Sequence, residues 1–178
     1  MTEVLTVNGT AVAGANLRLA QWMAPAAVEL RTAAATELCQ RYGVDSIGPD
    51  PDGDRAVAMI ILSILDGERR VDVGCAALID QTGHMEEFST PVLEVRRVYI
   101  KPQYRGNGYA KLLMHEVERQ ARRYSQRDDR RGLRVVLETG TLQPESMHLY
   151  SSLGYVLIDN YGEWKNDPLS RCFELILD

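Results

Sequence analysis

The stretch from Val98 to Ala121, VYIKPQYRGNGYAKLLMHEVERQA, is the segment that the rest of the chain has to accommodate. An extended apolar run (Val98, Tyr99, Ile100) meets Lys101-Pro102, where proline's fixed φ and missing N–H end regular strand pairing. The turn Arg105-Gly106-Asn107-Gly108 comes next. Beyond it Tyr109, Leu112, Leu113, Val117, Ala121 and Tyr124 recur at three- and four-residue steps, which buries one helical face and leaves Lys111, Glu118 and Arg122 toward water. The unit reads as strand, glycine turn, helix. Glycines directly before a helix expose its first N–H groups, and these groups with the helix dipole attract a phosphate-bearing ligand. On this segment alone, a strand-to-helix turn without a ligand is the plain alternative.

The flanking pattern supplies a sheet for this unit. Met1 to Asn16 carries little pattern and is expected to be a loosely held arm, with residues 17–178 forming one domain. Leu17 to Trp22 alternates as a short strand, and Ala26 to Tyr42 reads as a helix begun by Pro25 and stopped by Gly43. Val44 to Arg55, with GPDPDGD at its centre, is expected to be an exposed loop that buries nothing and flanks a substrate site. Val57 to Leu65 and Val71 to Ile79 form a hairpin across Asp66-Gly67-Glu68, and Val92 to Ile100 is a strand whose alternation breaks at Glu94, Val95, Arg96 and Arg97. Such a break points to a bulge or to a polar cleft. Leu133 to Leu137 is a continuous apolar run suited to a central strand, Pro144 to Leu153 a short helix, and Tyr155 to Ile158 and Cys172 to Leu177 the last strands. The order β-α-β-β-β-α-β-α-β-β gives an α/β domain with a single mixed sheet and helices on both faces.

Composition removes several classes of function. A net charge of −5 argues against nucleic acid as a partner. The arginines Arg119, Arg122, Arg123, Arg127, Arg130, Arg131 and Arg134 fit the negative end of the long helix dipole, with Asp128 and Asp129 partly neutralising them; an anionic partner is the alternative. Cys39, Cys75 and Cys172 are odd in number and widely spaced, and His84, His115 and His148 show no metal-binding spacing, so neither disulfides nor a metal are expected. No apolar run has membrane-spanning length and no secretory signal opens the chain, so a cytoplasmic protein without a membrane partner is expected. A homodimer stays open.

Three ordered segments sharpen the reading. Arg105-x-x-Gly108-x-Ala110 after EVRRVYIKP, then Leu137-Glu138-Thr139, then Leu149-Tyr150-Ser151-Ser152-Leu153-Gly154-Tyr155 resemble the successive motifs of the GNAT superfamily of acyl-CoA-dependent N-acetyltransferases, over roughly Val92 to Ile158. The resemblance implies that family's fold, a mainly antiparallel sheet whose two central strands splay apart, and acetyl-CoA as co-substrate. The residues agree with it. Amides from Arg105 through Gly106, Asn107, Gly108 and Tyr109 to Ala110 can bind a pyrophosphate without the lysine of a P-loop, and the third glycine of a dinucleotide fingerprint is absent because position 111 is Lys.

The resemblance also distributes roles. The pantetheine arm would hydrogen-bond along Val98, Tyr99 and Ile100 like an added strand, and the Ile100 N–H would stabilise the thioester oxyanion. Tyr150 would face the departing thiolate. Reference values make full proton transfer from a phenol to a thiolate uphill by about 2 kcal/mol, so Tyr150 is better described as a hydrogen-bond donor. Glu94 is the first candidate for the base that deprotonates the amine, with a salt bridge to Arg96 as its alternative role, and Glu138 is the second. Gln143 stands where the family often has Asn, seven residues before the tyrosine, and retains an amide for the pantetheine. Tyr42, Tyr161, Trp164, Asp167 and Ser170 are the expected contacts of a small amine or amino-acid-like acceptor. A non-catalytic acyl-CoA-binding module and a protein or peptide N-acetyltransferase are the alternatives.

Overall fold

In the computed structural model, which describes residues 6–7, 10–12, 14–127 and 132–177, the chain builds one seven-stranded sheet between two layers of helix. The expected arm lies partly outside the described residues. Within it, β1 (Thr6–Val7) and β2 (Thr10–Ala11) pair as a two-stranded ribbon, and Val12 and Ala15 pack on the core, so that part is tied down. The first strand of the main sheet, β3 (Asn16–Leu19), stops three residues before the expected end at Trp22. It stops because Ala24 donates its N–H to Gln21 O, a tight turn that delivers Pro25 to the first position of α1 (Pro25–Tyr42).

The hairpin follows as β4 (Ala56–Asp66) and β5 (Arg69–Asp80), and then β6 (Val92–Ile100), α2 (Tyr109–Arg127), β7 (Leu133–Gly140), α3 (Pro144–Ser152), β8 (Val156–Ile158) and β9 (Ser170–Leu177). The strand order is β3-β4-β5-β6-β7-β9-β8, antiparallel throughout except where β6 runs parallel to β7. The two-residue period of β4 sorts its side chains. Ala58, Ile60, Leu62 and Ile64 enter the core under α2 and α3, while Met59 and Ile61 pack beneath Ala27 and Leu30 of α1 on the other face.

Two expectations need correction. Glu118 does not simply face water: its carboxyl is largely covered, with one oxygen buried and without a hydrogen-bond partner among the described residues, and burial raises its pKa. The face of α2 that packs is wide enough to bury Glu116 and Gln120 as well; Gln120 and the forked guanidinium of Arg119 both hydrogen-bond the Glu116 carboxylate. The segment 44–55 is not merely an exposed loop. Asp50 accepts from Arg31 Nε at 2.8 Å and Arg97 Nε at 3.1 Å, two arginines whose side chains are almost fully buried, so the loop is pinned across α1 and β6. Asp128, Asp129, Arg130 and Arg131 lie outside the described residues.

Candidate active site

The site begins with a defect in β6. Arg97 takes φ +57°, rare for a residue with a side chain, and the register with β5 jumps from Ala77↔Arg96 to Cys75↔Tyr99. Two residues therefore oppose one, which is a bulge. Its effect on the alternation is direct: Val92, Glu94 and Arg96 face the α1 side, but beyond the bulge Val98 and Ile100 pack with the α2 layer and Tyr99 with α1. The broken pattern in the sequence is this bulge.

The bulge also opens the sheet. Pairing of β6 with β7 ends at Val95↔Leu137, yet β6 continues to Ile100 along β5 and β7 continues to Gly140 along β9. The two facing edges diverge, and their unpaired backbone groups line a cleft of about 830 Å³. Lys101 donates its N–H to Val73 O on the β5 side, so by strand alternation the backbone of Ile100 faces the cleft. Ile100 O there accepts Arg105 Nε at 2.8 Å, and by the same alternation the Ile100 N–H points toward this opening.

At one end of the cleft lies the turn into α2. Gly106 (φ +82°) and Gly108 (φ +76°) adopt left-handed conformations that residues with a side chain rarely take, and α2 begins at Tyr109 with no acidic residue in its first turn. Arg105, Gly106, Gly108, Tyr109 and Ala110 line the cleft. Asn107 does not, because its side-chain amide is spent on Tyr104 O and Arg105 O, bracing the turn from within. Val98, Tyr99, Ile100 and Gln143 line the same cavity, so the structure brings together nine of the ten residues expected around the cofactor.

Tyr150 sits where the strands part. Its ring is 5% exposed and packs against Tyr155 and Phe173, each with centroids 6.1 Å away. The residue lines the cleft, and no hydrogen bond to its hydroxyl occurs among the described residues. Burial, with the charge of Glu138, raises its pKa well above that of an ordinary phenol.

The two carboxylates expected as candidate bases fare differently. Glu94 is 1% exposed and is not among the residues that line the cleft; it accepts from Gln81 Nε2 at 2.8 Å, Arg96 Nη1 at 3.3 Å and the Tyr161 hydroxyl at 3.3 Å. Tyr161 is buried in the same network and so is not a cleft residue either. Glu138 does line the cleft. Burial raises its pKa, opposed by the hydrogen bond from Ser170 Oγ at 2.7 Å and by the nearby Arg96. Tyr42, Trp164, Asp167 and Ser170 complete that end, and Gly140 passes so close to Tyr42 that a Cβ there would meet its hydroxyl.

Sequence reasoning missed the ionic chain that frames the opening. Glu37 of α1 accepts from Arg105 at 2.6 Å and from Arg41 at 3.2 Å, and Arg41 goes on to Glu145 of α3. These partners are as far as 104 residues apart, and no local pattern announces them. Among the described residues no group of three or more His, Cys, Asp or Glu could hold a metal ion, and no helix is long and apolar enough to cross a membrane.

Known proteins share this architecture. A Klebsiella pneumoniae protein assigned to the acyl-CoA N-acyltransferases superposes with a TM-score of 0.66 at 23% identity, over 92% of this chain and 98% of that one. An acetyltransferase from Streptococcus agalactiae gives 0.63 at 16% identity over 93% and 100% of the two chains. Arabidopsis thaliana NAA60 in complex with acetyl-CoA gives 0.57 at 14% identity over 92% and 98%. At such identities the likeness is one of fold. No curated protein matches the sequence. The sequence model of the GNAT acetyltransferase domain matches residues 59–157, more than half the chain, from within β4 through the splayed strands into β8. The chain therefore belongs to the GNAT family of acetyltransferases.

Proposed function

We propose that the protein transfers the acetyl group of acetyl-CoA to a primary amine of a small-molecule acceptor by direct attack in a ternary complex. The observation that carries this reading is the convergence of Ile100, Tyr150 and Glu138 on one cleft between diverging strands. In this reading the amides of the 105–110 turn hold the diphosphate at the positive end of α2. The free edge of β6 at Val98 and Ile100 takes the pantetheine as an added strand, with Gln143 at the start of α3 as a further amide on the opposite wall.

The remaining groups act on charge as it develops. Ile100 N–H donates to the carbonyl oxygen of the thioester as that oxygen gains negative charge. Tyr150 donates a hydrogen bond to the departing sulfur. Glu138 takes the proton of the incoming amine, a task that its burial-raised pKa suits better than an ordinary carboxylate's would. Glu94, enclosed by Arg96, Gln81 and Tyr161, supports this end from behind by orienting Arg96.

The test has two parts. Millimolar acetyl-CoA without added metal should raise the thermal midpoint, and free thiol should be released when amines are supplied with it. Absence of any stabilisation by acetyl-CoA would remove the co-substrate assignment. Stabilisation without thiol release for any acceptor would instead support a binding module.

A further inference from the structure

The charges at the acceptor end of the cleft are arranged unequally. Glu138 and Asp167 both line it, and neither has a salt-bridge partner among the described residues. Glu138 accepts from Ser170 Oγ at 2.7 Å, while Asp167 accepts from Leu169 N at 2.8 Å and lies 3.3 Å from the same Ser170 hydroxyl. One hydroxyl carries one proton, so Ser170 serves one carboxylate at a time and lone pairs of the other are left for a donor from outside. An ammonium brings three donors.

The arginines of the cleft are already taken, and Lys111, which has no salt bridge among the described residues, stands in the first turn of α2 at the other end of the cleft. Arg96 is paired with Glu94 at 3.3 Å and Glu163 at 3.6 Å, and Arg97 with Asp50 at 3.1 Å. Arg41 is paired with Glu37 and Glu145, and Arg105 with Glu37. A carboxylate on the acceptor would have to displace a protein carboxylate already in contact, and would then lie beside Glu138 and Asp167. The wall beyond these carboxylates is apolar. Leu38, Val44, Ile47 and Leu169 line it, and Val44 and Leu169 are left 45% and 48% exposed.

We infer that the acceptor is a monoamine with an apolar or aryl arm and no carboxylate, an inference that rests on the acetyl transfer proposed above. The ammonium approaches Glu138 and Asp167, and the arm covers Val44, Ile47 and Leu169, taking that surface out of water. The reaction balances as ordinary acyl transfer: the ammonium first gives one proton to Glu138, the neutral amine nitrogen bonds to the acetyl carbon, the C–S bond breaks, and the second proton lost by nitrogen goes to the departing sulfur, so that CoA leaves as the thiol.

The experiment uses the full chain with acetyl-CoA, follows thiol release, and compares acceptors that differ in one group: phenylethylamine with phenylalanine, tryptamine with tryptophan, then phenylalanine amide and ethylamine. Phenylethylamine and tryptamine should exceed their carboxylated partners in kcat/KM by about 100-fold, the order expected for a like charge held a few ångströms from a carboxylate. Ethylamine should lose about tenfold or more through KM, since it leaves the apolar wall uncovered. Phenylalanine or tryptophan accepted as well as its decarboxylated partner overturns the inference, as does ethylamine equal to phenylethylamine. Turnover of phenylalanine amide with idle amines also overturns it, in favour of a peptide N-terminus, while acetyl transfer stands. Thermal stabilisation by acetyl-CoA with no acceptor turned over sinks the functional reading itself. Asp167→Asn, which keeps the oxygen that accepts from Leu169 N, should raise the KM for phenylethylamine more than it lowers kcat and narrow the preference over phenylalanine; an unchanged preference overturns the electrostatic argument.

Discussion

Tyr150→Phe isolates one hydroxyl with little else disturbed. The ring keeps its contacts with Tyr155 and Phe173, and no hydrogen bond to the hydroxyl is lost among the described residues, so stability should change by no more than about 0.5 kcal/mol. The rate argument runs through acidity. Phenol and thiol reference values put full proton transfer about 2 kcal/mol uphill. Burial and the Glu138 charge raise the Tyr150 pKa further, which makes outright donation harder and leaves a charge-assisted hydrogen bond to the departing sulfur as the useful interaction. Such a bond is worth about 1.5–3 kcal/mol, which corresponds to a loss of roughly 10- to 150-fold in kcat. The interaction strengthens only as charge reaches sulfur, so acetyl-CoA affinity should hold. Thiol release under saturating acceptor gives kcat, calorimetric titration gives the affinity, and the defect should persist in alkali. Wild-type kcat would show that the hydroxyl plays no part in the chemistry. An affinity loss as large as the kcat loss would show that it binds the ground state instead.

Glu138→Gln should depress kcat/KM most near neutral pH and less in alkali, where more of the amine arrives unprotonated; a defect independent of pH would take the base role from Glu138. The same change should alter stability with a definite sign. The folded pKa of Glu138 is raised, so its favourable contribution is complete below the unfolded carboxylate value and is lost as pH rises through the folded one. Glu138→Gln should therefore melt above wild type at pH 8, with the gap closing toward pH 4, and equal gaps at both pH values would contradict the burial argument. Glu94→Gln removes the buried charge facing half-buried Arg96 and should cost about 3 kcal/mol, a drop of roughly 6–12 °C in Tm; a shift under 2 °C would show that the pair is not structural. Gly108→Glu puts a side chain and a negative charge at a φ of +76° in the turn proposed to hold the diphosphate, and should abolish the rise in Tm of about 5–10 °C that acetyl-CoA at 100 times its Kd should give wild type.

What could be read from the sequence was whatever is local and periodic. The strand, turn and helix around Gly106 and Gly108, the hairpin across Gly67 and the stop at Gly43 are short-range chemistry, and all lie where the pattern placed them. The irregular stretch at Glu94 to Arg97 was visible as a fault, but only the register with β5 shows it to be a bulge that turns Val98 and Ile100 to the other face. Which carboxylate faces the cleft was not legible. Glu94 and Glu138 are both glutamates on central strands, and the choice depends on Tyr161 and Gln81 closing over one and Ser170 touching the other. The anchoring of segment 44–55 was likewise hidden, because Asp50 meets Arg31 and Arg97 only through the fold.

Helix α1 touches both ends of the cleft. Glu29 and Glu37 grip Lys101 and Arg105 at the turn before α2, and Leu38 and Tyr42, within two turns of Glu37, form part of the opposite wall. A ligand that displaces this helix at Tyr42 also displaces the carboxylate on which Arg105 rests. The two sites then share one coupling free energy, and linkage fixes its reciprocity: whatever factor the donor molecule imposes on acceptor binding, the acceptor imposes on the donor. Substitutions along α1 would accordingly appear in the apparent affinities of both substrates, although the helix supplies none of the groups placed at the reacting atoms.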